Sequence, residues 1–548
     1  MARDTTVDRI FHHAVARGPK AALVARKGGS WVPVTYEGFA EGVRDFAGGL
    51  VALGYEPGWA VSILGQSRPE WVIADVGAMA ARAVPAGVYQ TLTAEQAAYV
   101  VGHSESRVVI AENPEQWKKI EAQRANLPLL TKVVLMSGAE GITDPLVTSF
   151  EAFCAQGRPR RREVDARVDA IRGDEVATLI YTSGTTGPPK GAMLTHDNLS
   201  YMARTAVGIR GRCDDESIVS YLPLSHIAEQ MFTIHVPAIA GGAVYFAEAM
   251  EKMREALLAG RPTIFLGVPR VWEKFKTVLE GRFAEARGQK ARIIAWARKV
   301  GLEAGRRRMR GEPLPSELRV QEALADRLFF SKLKGQLGLD RLAMAVTGAA
   351  PIGAEVLEFF LSCGIVIHEV YGQTEGGGAT SFNMPGNMRL GTVGTPVPGA
   401  EIRIAEDGEI LLKSPGVFRG YYKDPAATEK AKDGEWLRTG DIGEVDPAGF
   451  LRITDRKKDL IITSGGKNVA PQNIEKLLKG IEGIGQAVVV GDRRSFLTAL
   501  LTLDPDRAKA VAQSRGWPEA PEALAQHPGY RALVQAGIDA VNGTLARY

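Results

Sequence analysis

Short apolar runs alternate with amphipathic stretches over residues 1–170. The runs Ala60–Leu64, Val108–Ala111 and Lys132–Met136 are rich in β-branched residues and predict buried strands. Between such runs, apolar residues recur at helical spacing, and the stretch Tyr36–Leu53 predicts a helix. A further run, Trp71–Tyr89, is broken by charged residues and a proline, so we expect a buried helix entering a strand and no membrane span. Strands interleaved with helices predict a parallel, doubly wound sheet.

A change of pattern divides the chain. From Gly391 onward, short alternating strands replace the earlier alternation of strands and helices, at Glu401–Ile404 and Gly449–Ile453 among others. A helix at Gln472–Leu478, a strand at Gln486–Val490 and a polar, helix-rich tail follow. We therefore expect an α/β protein of two domains, a large one over residues 1–457 and a small one over residues 458–548.

Two basic stretches punctuate the large domain. Residues 157–172 contain Arg158-Pro-Arg-Arg-Arg162 and predict a surface connector. Residues 290–335 predict a helical excursion that includes Arg306-Arg-Arg-Met-Arg310. A run of like charges is usually a solvated face. Contact with anionic lipid or with the phosphates of a large substrate is the alternative interpretation.

Composition excludes several classes of protein. The 548 residues are 45% hydrophobic and 24% charged, which is typical of an ordinary globular protein. A formal charge of +4 is too small for a dedicated nucleic-acid binder. Three widely separated cysteines, Cys154, Cys213 and Cys363, suggest neither a metal site nor a disulfide framework. With no apolar signal core at the N-terminus, we expect a cytoplasmic protein.

Candidate chemistry begins at Tyr181-Thr-Ser-Gly-Thr-Thr-Gly-Pro-Pro-Lys190, which follows the predicted strand Val176–Ile180. Small and hydroxylated residues let backbone N–H groups and hydroxyls approach phosphate oxygens, and Lys190 adds a point charge. The spacing differs from that of the common NTPase loop, in which Gly-Lys-Ser/Thr opens a helix. An ordinary Gly/Ser/Thr turn is the alternative.

Further candidate residues follow later predicted strands. His226 lies alone beside an apolar run, where a histidine is more often structural. Residues 342–351 end in a turn of small residues, and residues 365–375 end in Thr374-Glu375. Ligands of open α/β sheets bind at the carboxyl ends of strands. A carboxylate there suits Mg²⁺, which prefers hard oxygen ligands together with substrate phosphates.

Taken in order, these motifs and two later ones resemble those of the AMP-forming adenylating enzymes, a superfamily that includes acyl-CoA synthetases, firefly luciferase and peptide-synthetase adenylation domains. The later motifs are Thr439-Gly-Asp441 and Asp455-Arg-Lys-Lys-Asp459. Four further segments are most similar to long-chain fatty acyl-CoA synthetases, including the bacterial and "bubblegum" types: Tyr221–His226, Val268–Trp272, Gly348–Pro351 and Ser464–Pro471. The resemblance implies doubly wound sheets with a distorted β-barrel in the large domain, and a small mobile α+β C-terminal domain.

The resemblance also implies the reaction and the residues that carry it. A fatty acid would react with ATP to give acyl-AMP and pyrophosphate, and the acyl group would then pass to coenzyme A. Glu375 would hold Mg²⁺, Asp441 would bind the ribose hydroxyls with Arg456 as a donor, and His226 would line the acyl or thiol site. The implied catalytic residues are Thr182, Lys190, His226, Thr374 and Glu375. The implied ATP-binding residues are Thr182, Ser183, Gly184, Thr185, Thr186, Gly187, Lys190, Gly348, Ala349, Ala350, Pro351, Tyr371, Gly372, Gln373, Thr374, Asp441 and Arg456.

Thioester formation in this family uses a large rotation of the small domain, so that one site serves two steps. By resemblance, the pivot is Lys458, and Gly465, Gly466 and Lys467 lie along the pantetheine arm of coenzyme A, where glycines let the backbone approach closely. Trp272 would gate the fatty-acid tunnel, with an ordinary core tryptophan as the alternative. Peripheral contact with the inner face of the membrane and a homodimer are left open.

One departure from the family pattern concerns the C-terminal end of the sequence. The adenylation step of the family uses a lysine in a C-terminal Gly-Lys motif, and this sequence has no lysine after Lys509. Either the sequence is a fragment, or the protein lacks full adenylating power. In the second case we expect slow acyl-adenylate formation, with thioester formation from a supplied acyl-adenylate preserved. The alternatives to a long-chain fatty acid–CoA ligase are an adenylating enzyme for another acid or a carrier-protein acceptor, and a non-catalytic nucleotide or acyl binder.

Overall fold

The computed structural model describes residues 4–182, 188–211, 215–457, 459, 461–462, 468–494 and 496–545. These residues form two compact units. The first comprises residues 1–401 and 412–437, and the second comprises residues 402–411 and 438–548. Residues 402–411 and 438–457 thus belong to the same compact unit as the C-terminal residues. The boundary after residue 457 stays a prediction.

The helices of the described residues are α1 Thr6–Arg17, α2 Tyr36–Ala52, α3 Pro69–Ala80, α4 Ala94–His103, α5 Pro114–Glu121, α6 Phe150–Gly157, α7 Arg161–Asp169, α8 His196–Arg210, α9 Ile227–Gln230, α10 Val236–Ala240, α11 Met253–Gly260, α12 Pro269–Glu285, α13 Gly288–Met309, α14 Ser316–Ala325, α15 Ser331–Leu337, α16 Ala354–Ser362, α17 Pro425–Ala431, α18 Pro471–Lys479, α19 Pro505–Arg515, α20 Pro521–Gln526 and α21 Pro528–Thr544.

The strands are β1 Ala21–Lys27, β2 Ser30–Thr35, β3 Ala60–Leu64, β4 Val84–Val88, β5 Val108–Ala111, β6 Lys132–Leu135, β7 Val147–Ser149, β8 Val176–Thr182, β9 Lys190–Thr195, β10 Ser217–Ser220, β11 Ala243–Phe246, β12 Ile264–Leu266, β13 Met344–Thr347, β14 Ile367–Gln373, β15 Gly378–Phe382, β16 Thr395–Pro396, β17 Glu401–Ile404, β18 Glu409–Lys413, β19 Gly420–Tyr421, β20 Lys432–Asp433, β21 Trp436–Val445, β22 Leu451–Arg456, β23 Ile461–Ile462, β24 Asn468–Val469, β25 Ile484–Val490 and β26 Thr498–Leu503.

The largest sheet has the strand order β19-β9-β8-β4-β3-β5-β6-β7. Strands β8 to β7 along this order pair in parallel, whereas β9 and β19 add antiparallel edge strands. Every residue of β3, β4 and β5 is buried, as expected for parallel strands covered on both faces. The predicted α/β class is confirmed, and the predicted strands at 60–64 and 108–111 have the bounds that the sequence indicated.

A second sheet has the order β12-β13-β14-β15-β16. Its first three strands are parallel, and β14 then turns back antiparallel into β15. The carboxyl ends of β13 and β14 therefore meet at one edge, where the segments after Thr347 and after Gln373 begin. A third sheet, of order β10-β11-β1-β2, completes the first unit's sheets among the described residues. In the second unit, β17, β18 and β21 lie side by side, β22 pairs with β21, and β25 pairs with β26.

The connector predicted at residues 157–172 lies at the surface, as expected, but it is helical over residues 158–169 and not an irregular loop. A 3₁₀ turn at Arg158–Arg160 leads directly into α7, whose Val164 and Val168 are buried. Arg158 and Arg161 both pair with Asp45 of α2, at 3.2 and 2.7 Å. The composition of this segment favours a loop, and its contacts with Asp45, more than a hundred residues away, stabilise it as a helix.

The basic excursion is helical, as predicted, and its charges are neutralised. Each of the four arginines within residues 306–310 pairs with a glutamate: Arg306 with Glu358, Arg307 with Glu303, Arg308 with Glu322 and Arg310 with Glu312. The four arginine side chains are 32–56% exposed, in agreement with the predicted solvated face. Among the described residues, no helix combines the length and the apolarity that crossing a bilayer requires.

Candidate active site

The two ends of the glycine-rich loop are fixed by the largest sheet. Thr182 at the end of β8 is the antiparallel partner of Lys190 at the start of β9. The motif therefore begins and ends on two neighbouring strands of this sheet. The predicted phosphate-binding residues Ser183, Gly184, Thr185, Thr186 and Gly187 lie outside the described residues.

The Lys190 side chain lies beside β19, the strand next to β9. Its Nζ is 3.4 Å from Oδ2 of Asp424 and 5.2 Å from the centre of the Tyr421 ring. The lysine side chain is 39% exposed, so the ammonium group can still reach a ligand. Asp424 is held in place because it caps α17, accepting the Ala427 N–H at 2.9 Å.

Tyr421 connects this lysine to the Thr-Glu motif. Its hydroxyl donates a 2.8 Å hydrogen bond to Oε1 of Glu375. Burial, reinforced by the neighbouring Glu375 carboxylate, raises the pKa of Tyr421, so the hydroxyl keeps its proton and remains a donor. In the Lys190–Tyr421–Glu375 cluster, one tyrosine therefore has a cation near its ring and a carboxylate at its hydroxyl.

Glycines set the conformation of the Thr-Glu motif. Thr374–Gly376 forms a 3₁₀ turn after β14, with Thr374 buried and Glu375 half-buried. Gly377 follows with a φ of 76°, a conformation that favours glycine. A Cβ on Gly372 would lie 1.7 Å from the carbonyl oxygen of Gly378 in the partner strand. Gly372 is thus needed for the hairpin itself, whatever contact it makes with a ligand.

The turn Gly348–Pro351, which the resemblance places at the ATP site, follows β13. Gly348 packs against β14, since a Cβ there would come within 2.6 Å of Val370 Cγ1. Ala349 has a φ of 66°, which is strained for a residue with a Cβ, and it is exposed together with Ala350 and Pro351. Strain of this kind concentrates at functional sites.

Tyr371 and Gln373 belong to β14, the strand that pairs with β13. Both are less exposed than Ala349, Ala350 and Pro351. Tyr371 is buried with 7% exposure and pairs in register with Ser381 of β15. Gln373 is half-buried, and its Nε2 is a buried donor with no hydrogen-bond partner in the described part of the chain. The roles in ATP binding proposed for this pair stay predictions.

His226 caps the N-terminus of α9. Its Nδ1 accepts the Ala228 N–H at 3.2 Å, which leaves the proton of the neutral ring on Nε2. Burial lowers the pKa of His226, so the neutral form prevails at pH 7. The structure thus gives this histidine a local structural role. Its role at the acyl or thiol site stays a prediction.

The helix that His226 caps carries a buried carboxyl group, Glu229. Its Oε1 accepts hydrogen bonds from Ser220 Oγ at 2.6 Å, Thr233 Oγ1 at 2.8 Å and the Tyr221 N–H at 3.2 Å. Burial raises the pKa of Glu229 from 4.5 to about 7. A carboxyl with a raised pKa in the folded state costs stability as the pH rises from its unfolded pKa towards its folded one.

We expect Glu229→Gln to remove this cost. The amide keeps an acceptor at the Oε1 position and stays neutral, so the variant should gain up to about 3 kcal/mol relative to the wild type between pH 4.5 and pH 7. Calorimetric melting temperatures at both pH values measure this difference. Burial also lowers the pKa of histidines such as His13 and His196, so that their protonation destabilises the protein at low pH. This effect is the same in the wild type and the variant. A difference that does not grow with pH would contradict the assignment.

Trp272 lies in the aromatic core of the first unit. It is fully buried on α12, with ring centres 5.0 Å from Phe360, 5.5 Å from Phe265 and 6.2 Å from Phe275. Its Nε1 donates to the Val346 carbonyl at 3.4 Å. Val346 belongs to β13, the strand that ends at the Gly348 turn. This packing is that of a core tryptophan, and the gate function stays a prediction.

The second unit brings together the two residues expected at the ribose. Asp441 of β21 and Arg456 of β22 are cross-strand partners, with Arg456 Nε 3.5 Å from Asp441 Oδ1. The aspartate side chain is 12% exposed and the arginine side chain 61%. Thr439, the first residue of the motif, donates to the Ile410 carbonyl at 2.7 Å and accepts the Asp441 N–H at 3.1 Å. The motif is therefore anchored to β18.

Glu409 supports the same motif and was not predicted. Its buried carboxylate accepts the Gly440 N–H at 3.0 Å and the Lys457 ammonium at 2.8 Å. Lys457 also binds Asp407 at 2.6 Å, and these hydrogen bonds, that to Asp407 first, raise the pKa of Lys457. The turn before Asp441 is thus tied to the residue that precedes the expected pivot. The predicted pivot Lys458 and the predicted CoA-binding residues Gly465, Gly466 and Lys467 lie outside the described residues.

Tyr421, also missed by the sequence analysis, offers a direct test of the cluster. Tyr421→Phe removes only the hydroxyl that orients Glu375, and a hydrogen bond to a charged group is worth about 1.5–3 kcal/mol, or about tenfold to a hundredfold in rate. We expect a loss of this size in ATP–pyrophosphate exchange. Tyr422→Phe is the matched control, because the Tyr422 hydroxyl is associated with Glu105, outside the motifs. Equal effects of the two variants would contradict a specific role for Tyr421.

Glu375 is the residue that the resemblance assigns to Mg²⁺. Among the described residues, no group of three or more His, Cys, Asp or Glu side chains could hold a metal ion by itself. Mg²⁺ in phosphate-transfer sites needs only one or two carboxylates and takes its other ligands from substrate phosphates and water. A half-buried carboxylate oriented by Tyr421 fits that requirement.

Comparisons with protein families match most of the chain. The AMP-binding enzyme family matches residues 10–422, and the AMP-binding enzyme C-terminal domain family matches residues 458–538. The long-chain-fatty-acid–CoA ligase ACSBG2 of Xenopus laevis is 38% identical over 515 residues, covering 91% of this chain and 69% of the relative. The long-chain-fatty-acid–CoA ligase FadD15 of Mycobacterium tuberculosis is 37% identical over 483 residues, covering 87% of this chain and 78% of the relative.

Solved structures share the fold at lower identity. The anthranilate CoA ligase AuaEII in complex with anthranoyl-AMP is similar with a TM-score of 0.75 and 21% identity, covering 100% of this chain and 92% of that protein. A fatty acyl CoA synthetase of Mycobacterium tuberculosis is similar with a TM-score of 0.66 and 22% identity, covering 99% of this chain and 92% of that protein.

Proposed function

Because the chain belongs to the AMP-binding enzyme family, as its motifs predicted, we propose that it is a long-chain fatty acid–CoA ligase of the AMP-forming type. The observation that carries this proposal is the Lys190–Tyr421–Glu375 cluster, which joins the end of the phosphate loop to the Thr-Glu motif. The relatives named as long-chain fatty acid ligases support the choice of substrate, since each is more than a third identical over most of this chain.

The proposed reaction has two steps. In the first, a carboxylate oxygen of the fatty acid attacks the α-phosphorus of ATP, a new oxygen–phosphorus bond forms, and the bond to the β-phosphate breaks to release pyrophosphate. In the second, the thiol of coenzyme A attacks the acyl carbon, AMP leaves and the thiol proton is released. Two anions must approach in the first step, so cations and donors have to be in place before the attack.

The first unit supplies the groups expected at the phosphates. Lys190 is held at the end of the loop by Asp424 and Tyr421, and the ammonium of this partly exposed side chain would neutralise phosphate charge. Thr374 would bind the α-phosphate. Glu375 would hold Mg²⁺, which when bound withdraws charge from the phosphate oxygens and so favours departure of pyrophosphate. Tyr421 is a positioning residue, because it acts through Glu375.

The second unit supplies the group expected at the ribose. An ionised carboxylate only accepts hydrogen bonds, and Asp441 would therefore take both ribose hydroxyls, with Arg456 beside it as a donor. Glu409 would keep the motif in shape through Gly440. The rotation about Lys458 and the contact of Gly465 and Gly466 with coenzyme A are proposed on the resemblance alone. Peripheral membrane contact and a homodimer stay predictions on the same footing.

A scan of carboxylic acids tests the substrate. Purified protein is incubated with ATP, Mg²⁺ and hydroxylamine, which traps acyl-adenylates as hydroxamates, and palmitate, octanoate and benzoate are compared. We expect palmitate to give the highest kcat/KM and coenzyme A to be the acceptor. A preference for benzoate would overturn the long-chain assignment. Transfer to a carrier-protein thiol in place of coenzyme A would overturn the choice of acceptor.

A further inference from the structure

A cavity of about 250 Å³ opens at the edge of the second sheet opposite the candidate active site. Its wall includes Leu342 and Ala343, just before β13, and Ile365 and Val366, just before β14. The ATP-binding segments predicted above follow the carboxyl ends of these same two strands. Since parallel strands run from one edge to the other, the cavity is separate from that site. None of the described residues proposed for ATP, the acyl chain or coenzyme A lines it.

The lining of the cavity is basic. Arg308 of α13, Lys334 of α15 and His368 of β14 all contribute to the wall, and no aspartate or glutamate lines it in the part of the chain that the structure describes. Arg308 is neutralised by Glu322, through contacts from both of its terminal nitrogens. His368 donates from Nδ1 to the Asn383 carbonyl at 2.7 Å, and burial lowers its pKa, so it is neutral at pH 7.

Lys334 is the cation in this wall that has no direct ion pair among the described residues. Its side chain is half-buried, and burial lowers its pKa, although Asp326 and Glu322 oppose this from a distance. A half-buried charge without a contacting counter-ion costs free energy, and an anion placed against it would recover part of that cost. The cavity therefore favours a negatively charged group next to Lys334.

The rest of the wall is apolar. Met309, Met388 and Ile365 are buried side chains that line the cavity, together with Leu342 and Val366. An apolar cavity of about 150 Å³ is enough to bind benzene, so this larger one can accept a short hydrocarbon chain as well as a head group. A ligand that satisfies both parts of the wall has an anionic head and a short apolar tail.

We propose that the cavity between α13, α15 and the amino-terminal ends of β13 and β14 is a second ligand site, which binds a small amphiphilic anion, a carboxylate or a phosphate, against Lys334. This site is separate from the proposed adenylation site and does not depend on that proposal.

Calorimetric titration with hexyl phosphate, hexanoate and hexanol tests the site. The active site is first filled with the palmitoyl sulfamoyl analogue of acyl-AMP, so that binding elsewhere is measured. We expect one remaining site that takes hexyl phosphate or hexanoate at least about tenfold more tightly than hexanol, because only the anions can pair with Lys334. Whichever anion binds more tightly identifies the head group. No preference over hexanol, or loss of the binding when the analogue is present, would overturn the proposal.

Two variants locate that binding. Lys334→Met removes the charge and keeps most of the side-chain volume, and it should weaken binding at least about tenfold. Lys332→Met is the matched control, because Lys332 is an exposed lysine on the same helix that does not line the cavity. Ala343→Leu fills the cavity and leaves its charges intact, so it decides the case if the Lys334 variant fails to fold. Unchanged affinity in the folded Lys334 variant, or in Ala343→Leu, would contradict the assignment.

Discussion

Replacing Glu375 by glutamine is expected to lower fatty-acid-dependent ATP–pyrophosphate exchange by about a thousandfold, the upper range for loss of one preorganised electrostatic group. Glutamine keeps the shape of the side chain and an oxygen that can accept the Tyr421 hydroxyl, which donates to Glu375 at 2.8 Å. The variant therefore removes the negative charge and little else. A neutral amide is a poor ligand for Mg²⁺ beside phosphates. The exchange rate as a function of Mg²⁺ concentration should shift to higher concentrations.

Glu429→Gln is the control for this variant. Glu429 is an exposed residue of α17, a helix that begins four residues after Tyr421, and its replacement changes the net charge by the same amount. We expect exchange within about twofold of the wild type, as for most exposed substitutions. Exchange by Glu375→Gln at the wild-type rate, with an unchanged Mg²⁺ dependence, would show that Glu375 does not hold the metal.

Replacing Lys190 by methionine is expected to lower kcat/KM for ATP by about a hundredfold to a thousandfold, because a charge that faces the transferring phosphates is removed. In the wild type the Lys190 ammonium lies 5.2 Å from the centre of the Tyr421 ring. Methionine keeps an unbranched, flexible side chain that can still pack on this ring. The fold should therefore be preserved, and the melting temperature checks this. Steady-state pyrophosphate release at varied ATP concentrations gives the constant.

The neighbouring lysine provides a closely matched control. Lys423 lies over the ring of Tyr422, 5.1 Å from its centre, much as Lys190 lies over Tyr421. It pairs with Glu105 at 2.8 Å and lies outside the predicted motifs. Lys423→Met should leave kcat/KM nearly unchanged. If the two methionine variants lost activity equally, the effect would come from a general loss of positive charge and the role assigned to Lys190 would be wrong.

The sequence predicted those parts of the fold and site whose signals are local. Ala60–Leu64 and Val108–Ala111 are short apolar runs, and the structure gives both as strands with the predicted bounds. The Thr-Glu and Thr-Gly-Asp motifs could be placed at strand ends and in a β-rich segment because each consists of consecutive residues. The cross-strand pairing of Asp441 with Arg456 agrees with the proximity that the resemblance implied.

Residues that contribute through distant contacts could not be found in this way. Tyr421 lies on a two-residue strand, and its role depends on contacts with Lys190 and Glu375, which are 231 and 46 positions away in the sequence. Glu409 is one of many glutamates in the sequence until β18 and β21 lie side by side. The helix over residues 161–169 was missed for the same reason, because Arg161 pairs with Asp45, which lies far away in sequence on α2. Tertiary contacts override local composition in each case.

The path of a single oxygen atom tests the central claim most directly. Palmitate labelled with ¹⁸O in its carboxylate is incubated with the protein, ATP, Mg²⁺ and coenzyme A, and the nucleotide and phosphate products are analysed by mass spectrometry. If the carboxylate attacks the α-phosphorus, one labelled oxygen stays on AMP after the acyl group leaves, so AMP gains one ¹⁸O and pyrophosphate gains none. Label in inorganic phosphate together with ADP would place the attack at the γ-phosphorus and contradict the account.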